Sequence, residues 1–167
     1  MNRNQLEDSF VTLISNNENL IYKICNIYGD NEVDREDLKQ EIVFQLWKSY
    51  PNFRKEAKVQ TWMYKVALNT ALYFKRKKNI STARLSNTEY NEDESNLRFE
   101  EQLEDLYKAI RNLKNIDRAI ILLYLEKKTY LQISEIVGLS EKNIGVKLVR
   151  IREKLKNIVN KDLRDGK

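Results

Sequence analysis

Apolar residues recur three and four positions apart along nearly the whole chain, the spacing that places them on one side of an α-helix. The chain has only 4 glycines and 1 proline among 167 residues, too few for the turns of an all-β protein. Hydrophobic residues make up 41% of the composition, which is enough to build real cores. The sequence therefore predicts an all-α protein.

The residue types that are missing exclude several classes of function. The chain has no histidine and a single cysteine, Cys25, so it can form no internal disulfide. A mononuclear zinc site is therefore improbable, and the absence of histidine removes every Ser-His or Cys-His catalytic arrangement. We therefore expect no enzymatic activity, no metal and no cofactor. Cys25 lies in the apolar run LIYKICNIY, where we expect a small buried side chain.

The opening segment MNRNQLEDSF lacks the apolar stretch of a secretory signal. No run approaches the roughly 18 apolar residues of a membrane helix. We expect a cytoplasmic protein with no membrane insertion.

Charge divides the chain into two basic modules around a short acidic stretch. Residues 1–80 carry a net charge of +3, residues 81–100 carry −3 and residues 101–167 carry +5. The acidic stretch is rich in Ser, Thr and Asn, which favours a flexible linker. It is either a solvated loop of no particular role or a segment that follows a basic protein groove. The predicted division is a helical domain 1–80, a linker 81–102, a helical domain 103–160 and a tail 161–167.

Within the first module the charge contrast is sharper. Residues 30–41 have a net charge of −4, whereas residues 53–78 have a net charge of +7. A charge run is usually just a solvated face, but two opposed runs are more informative. They indicate that one half of the module binds a basic partner and the other half binds an anion.

The second module has the layout of a helix-turn-helix. Thr129 is a good N-cap for a short helix that ends at Gly138, and Ser140 then caps a longer helix. A short helix, a glycine-containing turn and a second helix are typical of motifs that lay the second helix in the major groove. Residues 103–125 predict two further helices that support it. The alternative is an amphipathic helix with a solvated basic face.

The helical spacing of the longer helix divides its residues into two neighbouring stripes, one apolar and one polar. The stripe that we expect to be buried comprises Ile144, Leu148, Ile151 and Leu155. The adjacent polar stripe comprises Asn143, Lys147, Arg150 and Lys154. Asn and Arg can read base edges, and Lys attracts phosphates. Gly145 costs about 1 kcal/mol at this mid-helix position. A close approach of the helix to the DNA backbone would explain the glycine, and so would neutral sequence drift.

The first module predicts an acidic amphipathic helix and a basic one. Asp34–Trp47, DREDLKQEIVFQLW, is predicted as a helix capped by Asp34 and ended by Pro51. Its predicted apolar stripe is Leu38, Ile42, Val43 and Leu46. After the basic loop FRKEAKVQ, the segment TWMYKVALNTALYFKRKK predicts a helix capped by Thr61 with a basic tail.

These segments resemble a known family. DREDLKQEIVFQLW followed by FRKEAKVQTWMYKVALNTA closely resembles region two of bacterial RNA polymerase sigma factors. TYLQISEIVGLSEKNIGVKLVRIREKL resembles their region four. The order and spacing are similar to the extracytoplasmic-function (ECF) type. The resemblance covers roughly residues 8–80 and 103–158.

The resemblance implies a sigma factor that binds core polymerase and directs initiation at promoters with minus-10 and minus-35 elements. The expected polymerase contacts are the clamp helices of the largest subunit and the flap of the second subunit. Members of the family are commonly held by an anti-sigma factor, so such a partner is a further expectation. We expect a monomer when the protein is free.

The resemblance also assigns site residues. The implied core-polymerase contacts are Asp37, Gln40, Glu41, Gln45 and Trp47. The implied minus-10 contacts are Phe53, Arg54, Lys55, Lys58, Thr61, Trp62, Asn69, Lys75 and Arg76, with Lys77 and Lys78 beside them as phosphate contacts. The implied minus-35 contacts are Asn143, Val146, Lys147, Arg150 and Lys154.

Gly145 and Leu68 depart from the family pattern, because both positions are often basic. Trp47 and Trp62 have a second interpretation as partial core residues. Two other classes of function stay open from the residues: a stand-alone helix-turn-helix regulator, and a helical scaffold or inhibitor without a nucleic-acid role. An enzyme is the least favoured class, because no catalytic constellation is visible.

Overall fold

The structure is a computed structural model that describes residues 3–53, 58–82 and 98–165. The chain divides into two compact units, Met1–Asn91 and Glu92–Lys167. Every regular element within the described ranges is helical, so the all-α prediction is confirmed. No helix in these ranges is long and apolar enough to cross a membrane.

The described residues of the first unit form four α-helices and one 3-10 turn. They are α1 (Arg3–Asn16), α2 (Glu18–Tyr28), α3 (Glu32–Ser49), the 3-10 turn Tyr50–Asn52 and α4 (Val59–Thr82). Helices α2, α3 and α4 pack against one another in pairs. Their buried apolar side chains form the core: Ile21, Ile24, Ile27, Tyr28, Leu38, Ile42, Leu46, Met63, Tyr64, Ala67, Leu68 and Ala71. Cys25 is also buried, as predicted.

Two predicted helix caps of the first unit are wrong. The N-cap of α3 is Asn31, whose side-chain oxygen accepts a hydrogen bond from the Asp34 backbone N–H at 2.9 Å. Asn is among the strongest N-cap residues, so the helix begins earlier than Asp34. Helix α4 begins at Val59, which places Thr61 inside its first turn. The predicted stripe of α3 is buried at Leu38, Ile42 and Leu46 but not at Val43, which is half-buried.

In the second unit, the described residues 98–165 form four helices: α5 (Arg98–Arg111), α6 (Asn115–Leu125), α7 (Tyr130–Val137) and α8 (Glu141–Asp165). Its core is formed by Ile110, Leu113, Ile120, Leu123, Ile133, Ile136, Ile144, Leu148 and Ile151. Arg118 ties α6 to the end of α5, because its buried guanidinium donates to the Arg111 and Leu113 carbonyls. The Arg118 Nε to Leu113 oxygen distance is 2.9 Å.

The turn between α7 and α8 forms as the sequence predicts. Thr129 and Gln132 make a reciprocal capping box, with distances of 3.2 Å and 2.9 Å between donor and acceptor atoms. Gly138 closes α7 at φ 75°, a left-handed conformation that glycine adopts without a Cβ clash. The Ser140 hydroxyl accepts from the Asn143 backbone N–H at 3.3 Å and so begins α8.

Helices reach further than the predicted domain limits. Helix α4 runs to Thr82 and α5 begins at Arg98, so both extend into the range predicted as linker. The remainder of that range, 83–97, lies outside the described residues. Helix α8 continues to Asp165, through most of the predicted tail. The boundaries at residues 80, 102 and 160 stay predictions.

Candidate nucleic-acid interface

The outward side of α4, together with the residue that precedes the helix, carries cations and amides. Lys58, Asn69, Arg76 and Lys77 are exposed. Lys65 is exposed too, although sequence reasoning did not single it out as a contact. Anionic phosphates are the natural partners of such a face. Arg54 and Lys55, which the sequence assigns to the same interface, lie outside the described residues.

A row of aromatic rings borders the beginning of α4. We call Trp47, Phe10, Tyr50, Trp62 and Phe53 the aromatic row. Successive ring centroids are 4.9 Å, 5.3 Å, 6.3 Å and 4.7 Å apart, in that order along the row. Trp47, Trp62 and Phe53 are each half-buried. Both tryptophans therefore pack partly into the unit and keep an exposed edge.

Two lysines predicted to contact phosphates are occupied inside the unit. Lys75 is only 7% exposed and forms an ion pair with Asp30. Lys78 is paired with Asp34 and lies 3.0 Å from a carboxylate oxygen of Asp30. We call these four residues the ion-pair cluster. The position of Lys75 therefore does not support its predicted role as a phosphate contact.

The ion-pair cluster shifts the pKa of two of its members. Burial alone would raise the pKa of Asp30, but the hydrogen bonds from Lys75 and Lys78 outweigh it and lower that pKa. Burial alone would lower the pKa of Lys78, but the hydrogen bonds to Asp34 and Asp30 raise it. The opposed shifts show that the carboxylate and the ammonium stabilise each other as charged groups.

The sequence carried a signal for this arrangement. Tyr64, Leu68, Ala71 and Lys75 follow one another at helical spacing, and the first three are buried. Lys75 continues that buried stripe toward the end of α4. Leu68 is 1% exposed, so its departure from the family pattern places an apolar residue in the core rather than at the DNA.

The predicted polymerase-binding residues lie along α3. Asp37 and Gln40 are exposed, whereas Glu41, Gln45 and Trp47 are half-buried. Gln45 Nε2 donates to Glu41 Oε1 at 2.8 Å.

A shallow groove beside these residues is lined by Phe10, Glu36, Lys39, Gln40, Val43, Phe44 and Trp47. Phe44 is 56% exposed. Sequence reasoning missed it, although a phenylalanine among the polar residues of α3 was the available signal.

Helix α8 presents its predicted contact residues unevenly. Asn143, Val146, Arg150 and Lys154 are exposed. Lys147 is half-buried, and its Nζ lies 3.0 Å from Oδ1 of the buried Asp117. A DNA contact by Lys147 must therefore compete with this ion pair.

Gly145 has room for a larger residue. A Cβ added there would meet only Tyr130 Cε2, at 3.5 Å, which is an ordinary van der Waals contact. Packing inside the second unit therefore does not require a glycine at this position.

Metal chemistry finds no support in the described ranges. No group of three or more His, Cys, Asp or Glu side chains there is placed to hold a metal ion.

Comparison with known families agrees with this arrangement. A family model described as sigma-70 region 2 matches residues 13–80, and a second, described as sigma-70 region 4, matches residues 103–155. RNA polymerase sigma factor SigV of Bacillus subtilis is 26% identical over 142 residues, which cover 84% of each chain. ECF RNA polymerase sigma factor SigG of Mycobacterium tuberculosis is 41% identical over 39 residues, 23% of this chain and 10% of that protein.

Two solved structures share the fold. Sigma factor RpoE of Bartonella quintana, in complex with the anti-sigma factor NepR, has a TM-score of 0.72 at 18% identity over 91% of this chain and 97% of that one. CnrH, in complex with the cytosolic domain of CnrY, has a TM-score of 0.67 at 18% identity over 93% and 90%.

The two helical units and the two family matches define a sigma-70 family protein, and the chain belongs to that family. Within it, the chain is a sigma factor of the ECF type. It binds core RNA polymerase and promoter DNA and directs transcription initiation. Sigma factors are non-enzymatic initiation factors, so this chain is not an enzyme. Neither a stand-alone regulator nor a scaffold without a nucleic-acid role is supported by this membership.

Proposed function

We propose that α3 docks on the clamp helices of the largest polymerase subunit. Its contacts would be Asp37, Gln40, Glu41, Gln45 and Trp47. The acidic first half of α3 supports this, because it suits a basic partner surface. The groove with exposed Phe44 adds an apolar contact beside the charges.

Helix α4 is the proposed minus-10 reader. The observation that carries this proposal is the exposed Asn69 and Arg76 on a helix whose first turn carries Trp62, with the ring of Phe53 packed against that indole and both rings half-buried. Extruding a base from the stack costs a few kcal/mol, which aromatic and polar walls can offset. Thr61 and Lys58 complete this interface, together with Arg54 and Lys55 of the preceding loop.

Helix α8 is the proposed minus-35 reader. Asn143 and Arg150 are exposed and have side chains suited to base edges in the major groove. Lys154 supplies phosphate attraction. Residues 103–160 would act as this reader and as the contact for the polymerase flap, with residues 1–80 as the docking and melting domain and residues 81–102 as the linker.

Several finer expectations belong to the same proposal. We propose that the protein acts in the cytoplasm, where it would meet the polymerase, and that it is a monomer when free. The two solved relatives were captured with the anti-sigma factor NepR and with CnrY. We propose that an anti-sigma factor also holds this chain.

Run-off transcription with core polymerase from the same host tests the function. Added protein should give a promoter-dependent transcript, and the start sites define both promoter elements. The absence of any such transcript contradicts the proposal.

Variants of exposed residues test the interface. Arg76→Ala should lower promoter binding by the holoenzyme and reduce the slope of log K against log salt by about one. Lys108→Ala removes an exposed charge from α5 and serves as the matched control, with an unchanged salt slope. Equal slopes for the two variants would exclude Arg76 from the phosphate contacts.

A further inference from the structure

Two valines stand out on the exposed side of α8. Val146 is 46% exposed and Val149 is 57% exposed. They are surrounded by the exposed polar side chains of Lys142, Asn143 and Arg150. A valine can form no side-chain hydrogen bond and carries no charge. A partner that uses these two side chains must therefore offer them an apolar group.

The core of the second unit does not provide that partner. Ile144, Leu148 and Ile151 form the buried stripe of α8 and are at most 1% exposed. At about 100° per residue, Val146 points roughly 170° away from the middle of that stripe. Val146 is thus at the centre of the outward face, and Val149 lies next to it, one turn along.

Base-edge chemistry limits what such a face can contact. In the major groove, bases present hydrogen-bond donors, acceptors and a single apolar group, the 5-methyl of thymine. We propose that Val146 and Val149 read thymine methyl groups in the minus-35 element. Their contribution to promoter choice is then a preference for A·T pairs at the positions that they face. This inference rests on the proposed function, in which α8 enters the major groove.

Neighbouring side chains make the assignment more specific. Asn143 and Arg150 flank Val146 and can hydrogen-bond to adenine and guanine edges. Lys142 attracts the phosphates on either side. The face therefore combines polar readers with an apolar centre, and a thymine methyl beside polar-read bases fits that combination.

Deoxyuridine provides the test, because it lacks only the methyl group of thymine. The probe is a promoter whose minus-35 element has been mapped with this holoenzyme. It is synthesised with each thymine of that element, on either strand, replaced singly by deoxyuridine. Removing a contacted methyl should weaken holoenzyme binding about fourfold, the effect of burying one methyl-sized group. The double variant Val146→Ala, Val149→Ala should lose this sensitivity.

Val159→Ala is the matched control, since Val159 is a third exposed valine of α8, 47% exposed and more than two turns beyond Val149. This variant should keep the full response to deoxyuridine. The inference is overturned if no deoxyuridine substitution weakens binding, if the double variant responds like the wild type, or if the mapped element contains no A·T pair.

The outcomes also separate the two proposals. If changing whole base pairs of the element has no effect on binding, the minus-35 function of α8 fails. If base-pair changes matter and deoxyuridine does not, that function stands and only the reading of thymine methyls fails.

Discussion

Lys75 of α4 is ion-paired with Asp30, although 45 positions separate them in the sequence. Asp30 lies in the short connection between α2 and α3. Lys78, one turn further along α4, reaches the same carboxylate and also Asp34. The ion-pair cluster therefore fastens the basic half of α4 to the beginning of α3. Arg76 stays exposed between the two occupied lysines.

Lys75→Met should destabilise the protein. Removing the ammonium takes one donor from the half-buried Asp30, and a hydrogen bond between charged groups contributes about 1.5 to 3 kcal/mol. Urea unfolding followed by circular dichroism measures the change in the free energy of unfolding. Lys77→Met, on the exposed side of the same helix, should stay within about 0.5 kcal/mol of the wild type. Equal losses for both variants would mean that the ion pair contributes no stability.

Stability should depend on pH through the same cluster. The pKa of Asp30 is lowered from 3.8, so its contribution is complete above that pH and is lost as pH falls through the folded pKa. The pKa of Lys78 is raised from 10.5, so its contribution is complete below that pH and is lost as pH rises through the folded pKa. The chain has no histidine, and the cluster contribution should be flat near neutral pH.

Asp30→Asn checks this pH dependence, because the amide imitates the protonated carboxyl. The difference in unfolding free energy between wild type and variant should be constant near pH 7. It should shrink once the pH falls below 3.8. A difference that stays the same in acid would contradict the lowered pKa.

Arg118→Met should destabilise the second unit. The guanidinium is 9% exposed and donates to the carbonyls of Arg111 and Leu113. Methionine keeps most of the buried volume and removes the donors, so we expect a loss of about 1 to 3 kcal/mol in urea unfolding. Arg150→Met changes an exposed arginine of the same unit and should have little effect on stability. Comparable losses in both would refute the tie between α5 and α6.

Gly145→Ala should stabilise α8 by up to about 1 kcal/mol, because alanine has the higher helix propensity. The added methyl meets only Tyr130 Cε2, at 3.5 Å, and so introduces no clash. Thermal unfolding of the full chain measures the gain. Lower stability would show that packing requires the glycine. Weaker binding to the minus-35 element, with stability raised, would show that the glycine makes room for the DNA backbone.

Cys25 should react slowly in the native protein. Burial raises the pKa of its thiol to about 12, against a smaller lowering by the charge of Lys39. Only the thiolate is alkylated, and the side chain is 5% exposed. Iodoacetamide labelling near pH 8 should be at least about a hundredfold slower than in urea. Similar rates in both conditions would mean that the thiol is accessible in the folded state.

Local chemistry made the second unit predictable. Thr129, Gly138 and Ser140 act through hydrogen bonds and dihedral angles that involve residues only a few positions away. The buried stripe of α8 follows from spacing for Ile144, Leu148 and Ile151, whereas Leu155, also expected to be buried, is only half-buried. Both features can be read from a single segment of sequence.

Partners far away in the sequence explain why two lysines predicted to contact DNA form ion pairs inside the units instead. Lys75 is a cation within a basic run, and although it continues the buried stripe of α4, its partner Asp30 comes from a helix connection 45 positions away. Lys147 is likewise occupied by Asp117 of α6. The predicted cap Asp34 is wrong for a local reason: Asn31, three residues earlier, accepts the hydrogen bond from the Asp34 backbone N–H and is the N-cap itself.

The aromatic row places both tryptophans of the chain, Trp47 and Trp62, in the first unit. Both indoles are half-buried, so their emission is sensitive to whatever covers their exposed edges. One edge belongs to the proposed polymerase surface and the other to the proposed minus-10 surface. The native protein thus contains its own fluorescent reporter. Its emission reports directly on binding at these two surfaces of the first unit.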